Sequence, residues 1–451
     1  TSNDAMSLGD ANTAIVLYAN SILNTGSAAL TVNTTVNGGY TLTLNSSAAT
    51  TFAGIIGAST KPTGITTNSG GTVVFNTTAI STNGTQTYGE NATIGANITF
   101  TTTNNDITFS GTVNSVSSTK TLDIVAGNGD TTFSGTVGGS EALGNTTIGT
   151  AGLTAGAIKV QGTLAITNSG AGAITGIISN GDSAAILTKA GAGTLTLSGD
   201  NTYTGATTVS AGVLAITHAD ALGGTSGATT VASGAALSIS GGLTIAEPIT
   251  ISGTGVSSGG AIVFTGGDNT YSGAITLGAT SKIVSTGGAQ TISATVNGGN
   301  ALNITSNSDL TISGIVGGST PLSAYSVTTT GSGTQTFNVN VTTTNNQTYT
   351  AAGGITSSGA RTFTSNSGTV SFRSALAGNN NNLTVSGAAS IEGAVTNIAV
   401  LSITGTANIG GDITSSGTQT YGGAVNLTTN VTLTTSSDVI TFDSTVNSFG
   451  S

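Results

Sequence analysis

The 451 residues include no cysteine, no tryptophan, three prolines and a single histidine, and only 5% of them are charged. Each scarcity excludes something. Without cysteine there is no disulfide framework of the kind that staples small secreted domains. One histidine cannot supply a multi-histidine metal site. An ordinary globular chain has about 25% charged residues, so here the outside must be covered by Thr, Ser, Asn and Gly. That suits β-structure whose outward positions are small and polar. Seven basic residues against seventeen acidic ones leave a net charge of −10. This disfavours nucleic acid, which is bound by Lys and Arg neutralising phosphates, and equally an anionic membrane surface. No apolar run approaches the ~18 residues of a membrane helix, and no terminal set of long amphipathic strands marks a membrane barrel. No membrane insertion is expected of this segment. The chain opens at Thr1 with neither a basic n-region nor an apolar h-region, so any signal peptide is expected to be already absent.

What the chain does have is 69 glycines and 36% hydrophobic residues, the latter placed alternately. Disordered segments combine low hydrophobicity with high net charge and lack such placement. The pattern is plainest from Gly191 to Ile216, GAGTLTLSGDNTYTGATTVSAGVLAI. Leu195 and Leu197 alternate with Thr194 and Thr196, Val209 follows Thr207 and Thr208, and Leu214 and Ile216 flank Ala215. Period-2 alternation puts the apolar side chains on one face of short strands. Between the strands stand Ser-Gly-Asp-Asn, Thr-Gly-Ala and Ser-Ala-Gly, residues suited to corners.

This stretch resembles the passenger-associated transport repeat of bacterial autotransporters: a Gly-x-Gly-Thr-Leu-x-Leu run, then Asn-Thr-Tyr-Thr-Gly, then a Gly-x-Leu close. The resemblance, shared with filamentous-haemagglutinin-like surface proteins, is specific over 191–216 and diffuse elsewhere. It implies an all-β, right-handed parallel β-helix (β-solenoid) of stacked short-strand coils. It further implies a bacterial chain exported to the cell surface, where such rods serve as adhesins or stalks. The absence of cysteine fits export through a narrow pore in an unfolded state.

Internal repeats support a solenoid. Thr-Val-Asn, an x-Leu-x-[Ile/Leu] strand and a Gly-[Gly/Ala]-Ser turn recur at 35–59, 112–140 and 295–319. Thr-Gln-Thr-Tyr-Gly occurs at 85–89 and 418–422, and Gly-Asp-Asn-Thr-Tyr at 199–203 and 267–271. A short repeat cannot bury its own apolar face, whereas stacking on the next copy does so. Coils of roughly 20 residues are expected, with like residues at equal positions forming ladders. Residues 1–34 are expected to form an N-terminal cap or first coils, and 35–451 a continuous repeat array. Within the first segment, Asp10 to Asn24 cluster Ile15, Val16, Leu17, Tyr18, Ile22 and Leu23, which predicts a short helix or a cap. Excursions after the Gly-x-Ser turns, at Thr60–Thr63, Glu141–Gly144 and Thr320–Leu322, are expected on one side of the rod, as a recognition surface or as tolerated insertions.

The chain offers little chemistry. His218 reads as a surface residue at a coil corner. Gly255-Val256-Ser257-Ser258-Gly259 matches a nucleophile elbow, but that motif needs a strand-to-helix turn with an acid and a histidine beside it. Ala261 to Phe264 predicts another strand instead. Asp123 with Asp130, Asp438 with Asp443, and Asp200 with Asp220 are the nearest carboxylate pairs. Glycosidase chemistry needs two acids roughly 5 to 9 Å apart, and these read as turn residues. Gly127-Asn128-Gly129-Asp130 is a fragment of a calcium-binding nonapeptide that would have to recur in consecutive turns. No catalytic, cofactor-binding or metal residue is assigned. The expected function is an extracellular structural or adhesive β-solenoid without catalysis, with a host or neighbouring cell surface as partner. The alternatives are a self-assembling fibre, sheath or surface-layer subunit and, with less support, a polysaccharide-active enzyme. The last repeat copy starts at Thr445 and is cut off by Ser448-Phe449-Gly450-Ser451. Either the natural chain continues, or the segment near Leu30 to Leu44 of another copy stacks there end to end.

Overall fold

The computed structural model describes residues 3–10 and 12–448. These residues form short parallel strands, and the only helical element among them is a 3-10 turn, Val256–Ser258. The chain divides into two compact units, Thr1–Thr229 and Thr230–Ser451. Each is a parallel β-solenoid.

In the first unit the coils give strands to three ladders, except that residues 198–206 and 217–228 hold no strand. One runs through Leu30–Val32, Ala49–Phe52, Thr72–Phe75 and Asn91–Ile94. A second runs through Ile98–Thr101, Leu122–Val125, Thr146–Thr150, Thr163–Asn168 and Ile186–Ala190. A third contains Gln86–Tyr88, Ile107–Phe109, Thr131–Phe133 and Leu153–Ala155. Hydrogen bonds between successive coils join residues such as Asn145 and Thr163, 18 apart, and Asn97 and Thr121, 24 apart. The coils therefore vary in length around the expected twenty residues.

The strands are short because the coil turns a corner every few residues. A three-residue strand points its two ends inward and its middle outward, as in Gln86–Tyr88 and Ile107–Phe109. Leu195 and Leu197 are inward and fully buried, as the alternation requires. Like residues stack through the core. Phe52 and Phe75 lie parallel with ring centroids 5.5 Å apart, and Tyr88, Phe109 and Phe133 follow one another at 4.9 and 5.3 Å. Outside, the Asn24 and Asn45 amides are hydrogen-bonded at 2.6 Å.

The second unit follows the same plan. One of its ladders runs through Thr270–Tyr271, Gln290–Ile292, Leu310–Ile312, Gln335–Phe337 and Ile355–Ser357. Three strands, Arg361–Phe372, Leu376–Ile391 and Val395–Ile403, run on around a corner. In the latter two, Asn379, Asn380 and Asn397 adopt positive φ at the bend, a conformation Asn tolerates better than most residues.

Of the two readings of Asp10 to Asn24, a short helix or a cap, the structure corrects the helix; Ala11 in this stretch lies outside the described residues. Ile15–Val16 and Ser21–Gly26 are strands, paired with Val36–Asn37 and Thr41–Ser46 of the following coil. The apolar cluster alternates instead of forming a helical face: Leu17 is buried, whereas Val16, Tyr18 and Ile22 are exposed. The segment is a first coil. At the other end Val446–Ser448 is a strand, and Phe449–Ser451 lie outside the described residues.

Candidate functional site

The one group of three potential metal-ligating side chains among the described residues is Asp200, His218 and Asp220, whose ligand atoms lie within 4.8 Å of one another. Asp200 and Asp220 are exposed and His218 is half-buried. The coil repeat creates this proximity, because Asp220 stands about one coil beyond Asp200. His218 already has a structural task. Its Nδ1 accepts the Asp220 backbone N–H at 3.2 Å, and the Ala221 N–H donates to the His218 carbonyl at 3.3 Å. An Nδ1 that accepts a proton donor leaves the ring hydrogen on Nε2. A cation would have to displace that contact, so the ring serves as a cap for the corner at 218–223.

Of the other sequence candidates, the Gly255–Gly259 stretch forms the 3-10 turn, with Ser257 at φ 49 and Ser258 at φ 64. It leads into the strand Ile262–Gly266, the continuation its sequence predicts. The Ser258 carbonyl accepts the Lys282 ammonium at 3.1 Å. Asp123 sits at the outward position of its strand, level with Thr99 and Thr147. Asp130 Oδ1 accepts the Gly152 N–H at 2.7 Å, while the Asp130 N–H donates to Asp106 Oδ1. Asp438 closes a local turn with Thr435, and the Asp443 N–H donates to the Tyr421 carbonyl.

Asp130 exemplifies a general rule. An Asp or Asn at a corner accepts a backbone N–H from the next coil: Asn91 from Thr112, Asn145 from Thr163, Asp268 from Ala289, Asp309 from Thr334, Asp412 from Thr432. Corner N–H groups lie outside the strand ladders and need such partners. The three Thr-Val-Asn copies are a special case. Asn37, Asn114 and Asn297 accept the N–H groups of Ser59, Ser140 and Ser319, the serines of the Gly-x-Ser turns. In those turns Gly57, Gly138 and Gly317 have φ of 74, 72 and 72. A Cβ at any of them would meet a backbone carbonyl oxygen at 2.1 to 2.2 Å, so both conformation and space require glycine. The excursions that follow return to the wall. Leu143 and Leu322 are fully buried and bridge Val160 and Thr343.

The least expected residues lie inside. Lys189 stands in the inward column between Ile166 and Val209 and is fully buried. Its ammonium donates to the carbonyls of Ala190, Gly191 and, one coil on, Ala211, at 2.8, 3.0 and 3.2 Å. Burial pushes its pKa down to about 8. Asn201 ties three coils: its Oδ1 accepts the Ile178 N–H of the coil before, and its Nδ2 donates to the Ala221 carbonyl of the coil after. Asn269, in the second Gly-Asp-Asn-Thr-Tyr copy, likewise accepts from the preceding coil at the Leu243 N–H. The Tyr203 hydroxyl lies 2.6 Å from that of Thr207.

The Gln-Thr-Tyr copies explain themselves in the same way. Gln86 Nε2 donates to the Ile80 and Thr101 carbonyls, and its Oε1 accepts the Tyr88 hydroxyl at 3.0 Å. Gln347 with Tyr349 and Gln419 with Tyr421 repeat this arrangement. At Gln335 the partner position holds Phe337, and Gln335 Oε1 has no partner. Two carboxylates are also buried. Glu90 accepts the Thr67 hydroxyl on one oxygen only, and Glu247 has a partner on neither. Burial raises the pKa of both, that of Glu247 to about 8. Alternation carries the signal for Lys189 and Glu247: each falls in phase with inward neighbours, Leu187 and Ile245 respectively.

Lys189, Asn201 and the paired Gln and Tyr side chains hold coil to coil, whereas Glu247 does not. Residues 187–216 match the family model of the passenger-associated-transport-repeat. The matched stretch begins upstream of Lys189 and takes in the Ala211 carbonyl that Lys189 grips. No curated protein and no solved structure matches the chain significantly. The match, set in a parallel solenoid, supports an autotransporter-passenger-like repeat protein.

Proposed function

We propose that the chain is a surface-displayed, non-catalytic passenger segment of a bacterium, acting as a stalk or adhesive element toward a host or neighbouring cell. The observation that carries this reading is the transport repeat at 187–216 within parallel coils whose buried polar groups serve structure. No helix among the described residues is long and apolar enough to cross a membrane, as suits a segment held outside the cell. Within each unit successive coils are bonded to one another along parallel ladders, which favours a stiff segment. The test is protease shaving of intact native cells with an antibody against this segment, combined with attachment assays on a strain that lacks it. Loss of the antigen on shaving, together with weaker attachment, is the expected result. A protected antigen would overturn surface display, and unchanged attachment would leave the stalk role without the adhesive one. Turnover of a polysaccharide by the purified chain would overturn the non-catalytic reading.

A further inference from the structure

We propose that the outer corner carrying Tyr18 and Tyr40 binds a neutral oligosaccharide of the surface to which the chain attaches, an inference that rests on the adhesive reading above. Of the eight tyrosines, Tyr88, Tyr203, Tyr271, Tyr325, Tyr349 and Tyr421 are fully buried, whereas Tyr18 is 83% exposed and Tyr40 42%. A ring left in water forgoes the burial that stabilises the others. The two exposed rings belong to successive coils. Pairing is offset by 21 residues on both sides of the corner, at Val16 with Asn37 and at Ser21 with Leu42, so Tyr18 stands opposite Gly39 and next to Tyr40. The exposure of Tyr40 does not come from a missing neighbour, because the third coil is bonded to it through the Thr63 N–H. Nor does the fold ask for a ring there. In the copy at 295–300 the equivalent residue is Asn300, whose Nδ2 donates to the Leu277 and Gly298 carbonyls at 2.9 Å. Gly38 and Gly298 share a positive φ, 123 and 133, so the backbone is alike and only the side chain's task differs.

The rings adjoin a face of matching polarity. Along Thr41–Ser46 the outward residues are Thr41, Thr43 and Asn45, and Ile22 and Asn24 of the coil before stand level with the last two. This row runs about 13 Å from Thr41 to Asn45, enough for a short oligosaccharide. Ile22 is 64% exposed. Amides border these apolar groups. Asn20 Oδ1 accepts the Thr41 N–H and Asn45 Nδ2 donates to Asn24 Oδ1, contacts that orient the amides and leave the Nδ2 groups of Asn20 and Asn24 for a ligand. At the Asn45 end the face opens into a groove also lined by Ser47 and Asn68. At the tyrosine end it is bounded by the excursion Thr60–Thr63, whose Thr60 carbonyl accepts the Gly38 N–H. A sugar ring presents a face of C–H groups and a rim of hydroxyls. The tyrosines and Ile22 suit the face, and the amides suit the rim. A folded protein partner needs about 800 Å² on each side, more than this narrow row offers. A polyanion would find one neighbouring cation, Lys61, in a chain of net charge −10.

The experiment is affinity electrophoresis of the purified full chain through gels containing soluble β-glucan, galactomannan or α-mannan, with polygalacturonate as the charged comparator. Tyr18→Ala and Tyr40→Ala are run beside it. The control is Ile177→Ala, which trims a side chain 45% exposed elsewhere in the first unit. Circular dichroism and melting confirm that each variant is folded. Because the chain lacks tryptophan, its fluorescence is that of tyrosine, and acrylamide quenches the exposed rings first. The expected result is retention by at least one neutral polymer, about five-fold weaker in each tyrosine variant and unchanged in Ile177→Ala. The same polymer should shield the original chain from acrylamide. Retention by none of the neutral polymers, undiminished retention of both tyrosine variants, or stronger retention by polygalacturonate would overturn the proposal. A dimer that dissociates in Tyr40→Ala would assign the rings to a second copy and overturn it as well. The assay uses no cells, so its failure leaves surface display and attachment as they stand, and a failed shaving test leaves the binding result intact.

Discussion

Lys189 in the first unit and Glu247 in the second are both buried charged residues at inward positions, yet their surroundings differ. The lysine has a carbonyl for each of its three hydrogens, whereas neither oxygen of the glutamate has a donor. The difference lies in the backbone. The strand N–H groups are used in the ladders, and many corner N–H groups are taken by Asp and Asn side chains, so the interior offers chiefly carbonyl oxygens. Buried nitrogen donors find partners there, whereas carboxylate and amide oxygens, and the hydroxyls of Thr50, Thr77, Thr229, Ser285 and Tyr325, are left without one. Among the described residues every buried side-chain polar atom without a partner is an oxygen, Asn168 Oδ1 and Gln335 Oε1 among them. An acceptor is satisfied where the sequence supplies its own donor, as Tyr88 does for Gln86.

The largest effects should come from removing what the interior holds well. Leu195→Ala is expected to cost about 2 to 5 kcal/mol, as for other buried leucines, and sets the scale in a denaturant melt. Lys189→Met should cost about 2 to 3 kcal/mol at neutral pH, because three carbonyls lose a charged donor. A neutral or stabilising Lys189→Met would break the comparison.

Acidity separates the two residues further. Between pH 8 and 10.5 the unfolded chain keeps a proton on Lys189 that the folded chain has released, so its contribution to stability rises with pH across that window. Between pH 4.5 and 8 the folded chain keeps a proton on Glu247 that the unfolded chain has lost, so its contribution falls with pH across that window. Glu247→Gln should abolish the second slope. It should also raise stability at neutral pH by about 1 kcal/mol, as its new amide hydrogens find carbonyls. Melting curves at a series of pH values read both slopes, and an unchanged slope in Glu247→Gln would contradict this account.

Smaller changes test the supply of donors. Tyr349→Phe should cost about 1 kcal/mol and Phe337→Tyr should gain up to about 1 kcal/mol, since one removes and the other adds the donor for a buried glutamine oxygen. Lys159→Ala, at a half-buried outward position, should change the melt by less than about 0.5 kcal/mol. Equal shifts for Lys159→Ala and Lys189→Met would erase the distinction between wall and interior.

Much of this could be read before the coordinates. Leu195 and Leu197 were fixed inward by alternation alone, and the copies beginning Thr-Val-Asn revealed a repeat. The same alternation placed Lys189 inward, but the prior that lysine lies outside conceals it. Pairings across coils were harder. Asn37 meets Ser59 across 22 residues and Asn114 meets Ser140 across 26, and no pattern in the sequence sets the length of each coil. For the same reason Asp200 and Asp220 could be named as a pair, whereas the backbone N–H that holds His218 between them could not be foreseen.

The corner Asp and Asn contacts mostly cross a single boundary and point the same way, with the acceptor in one coil and the N–H in the next. Boundaries joined in this way share one polarity, unlike those at Asn201 and Asn269, where the acceptor faces the preceding coil. A block of whole coils can be copied and inserted with the contacts at both joins preserved, because each block presents acceptors at its trailing side and N–H groups at its leading side. Gln86 and Asn114 are separated by the same 28 positions as Gln419 and Asn447, the trace that duplication by whole coils would leave. A gene built from such modules can lengthen or shorten its product without redesigning a core.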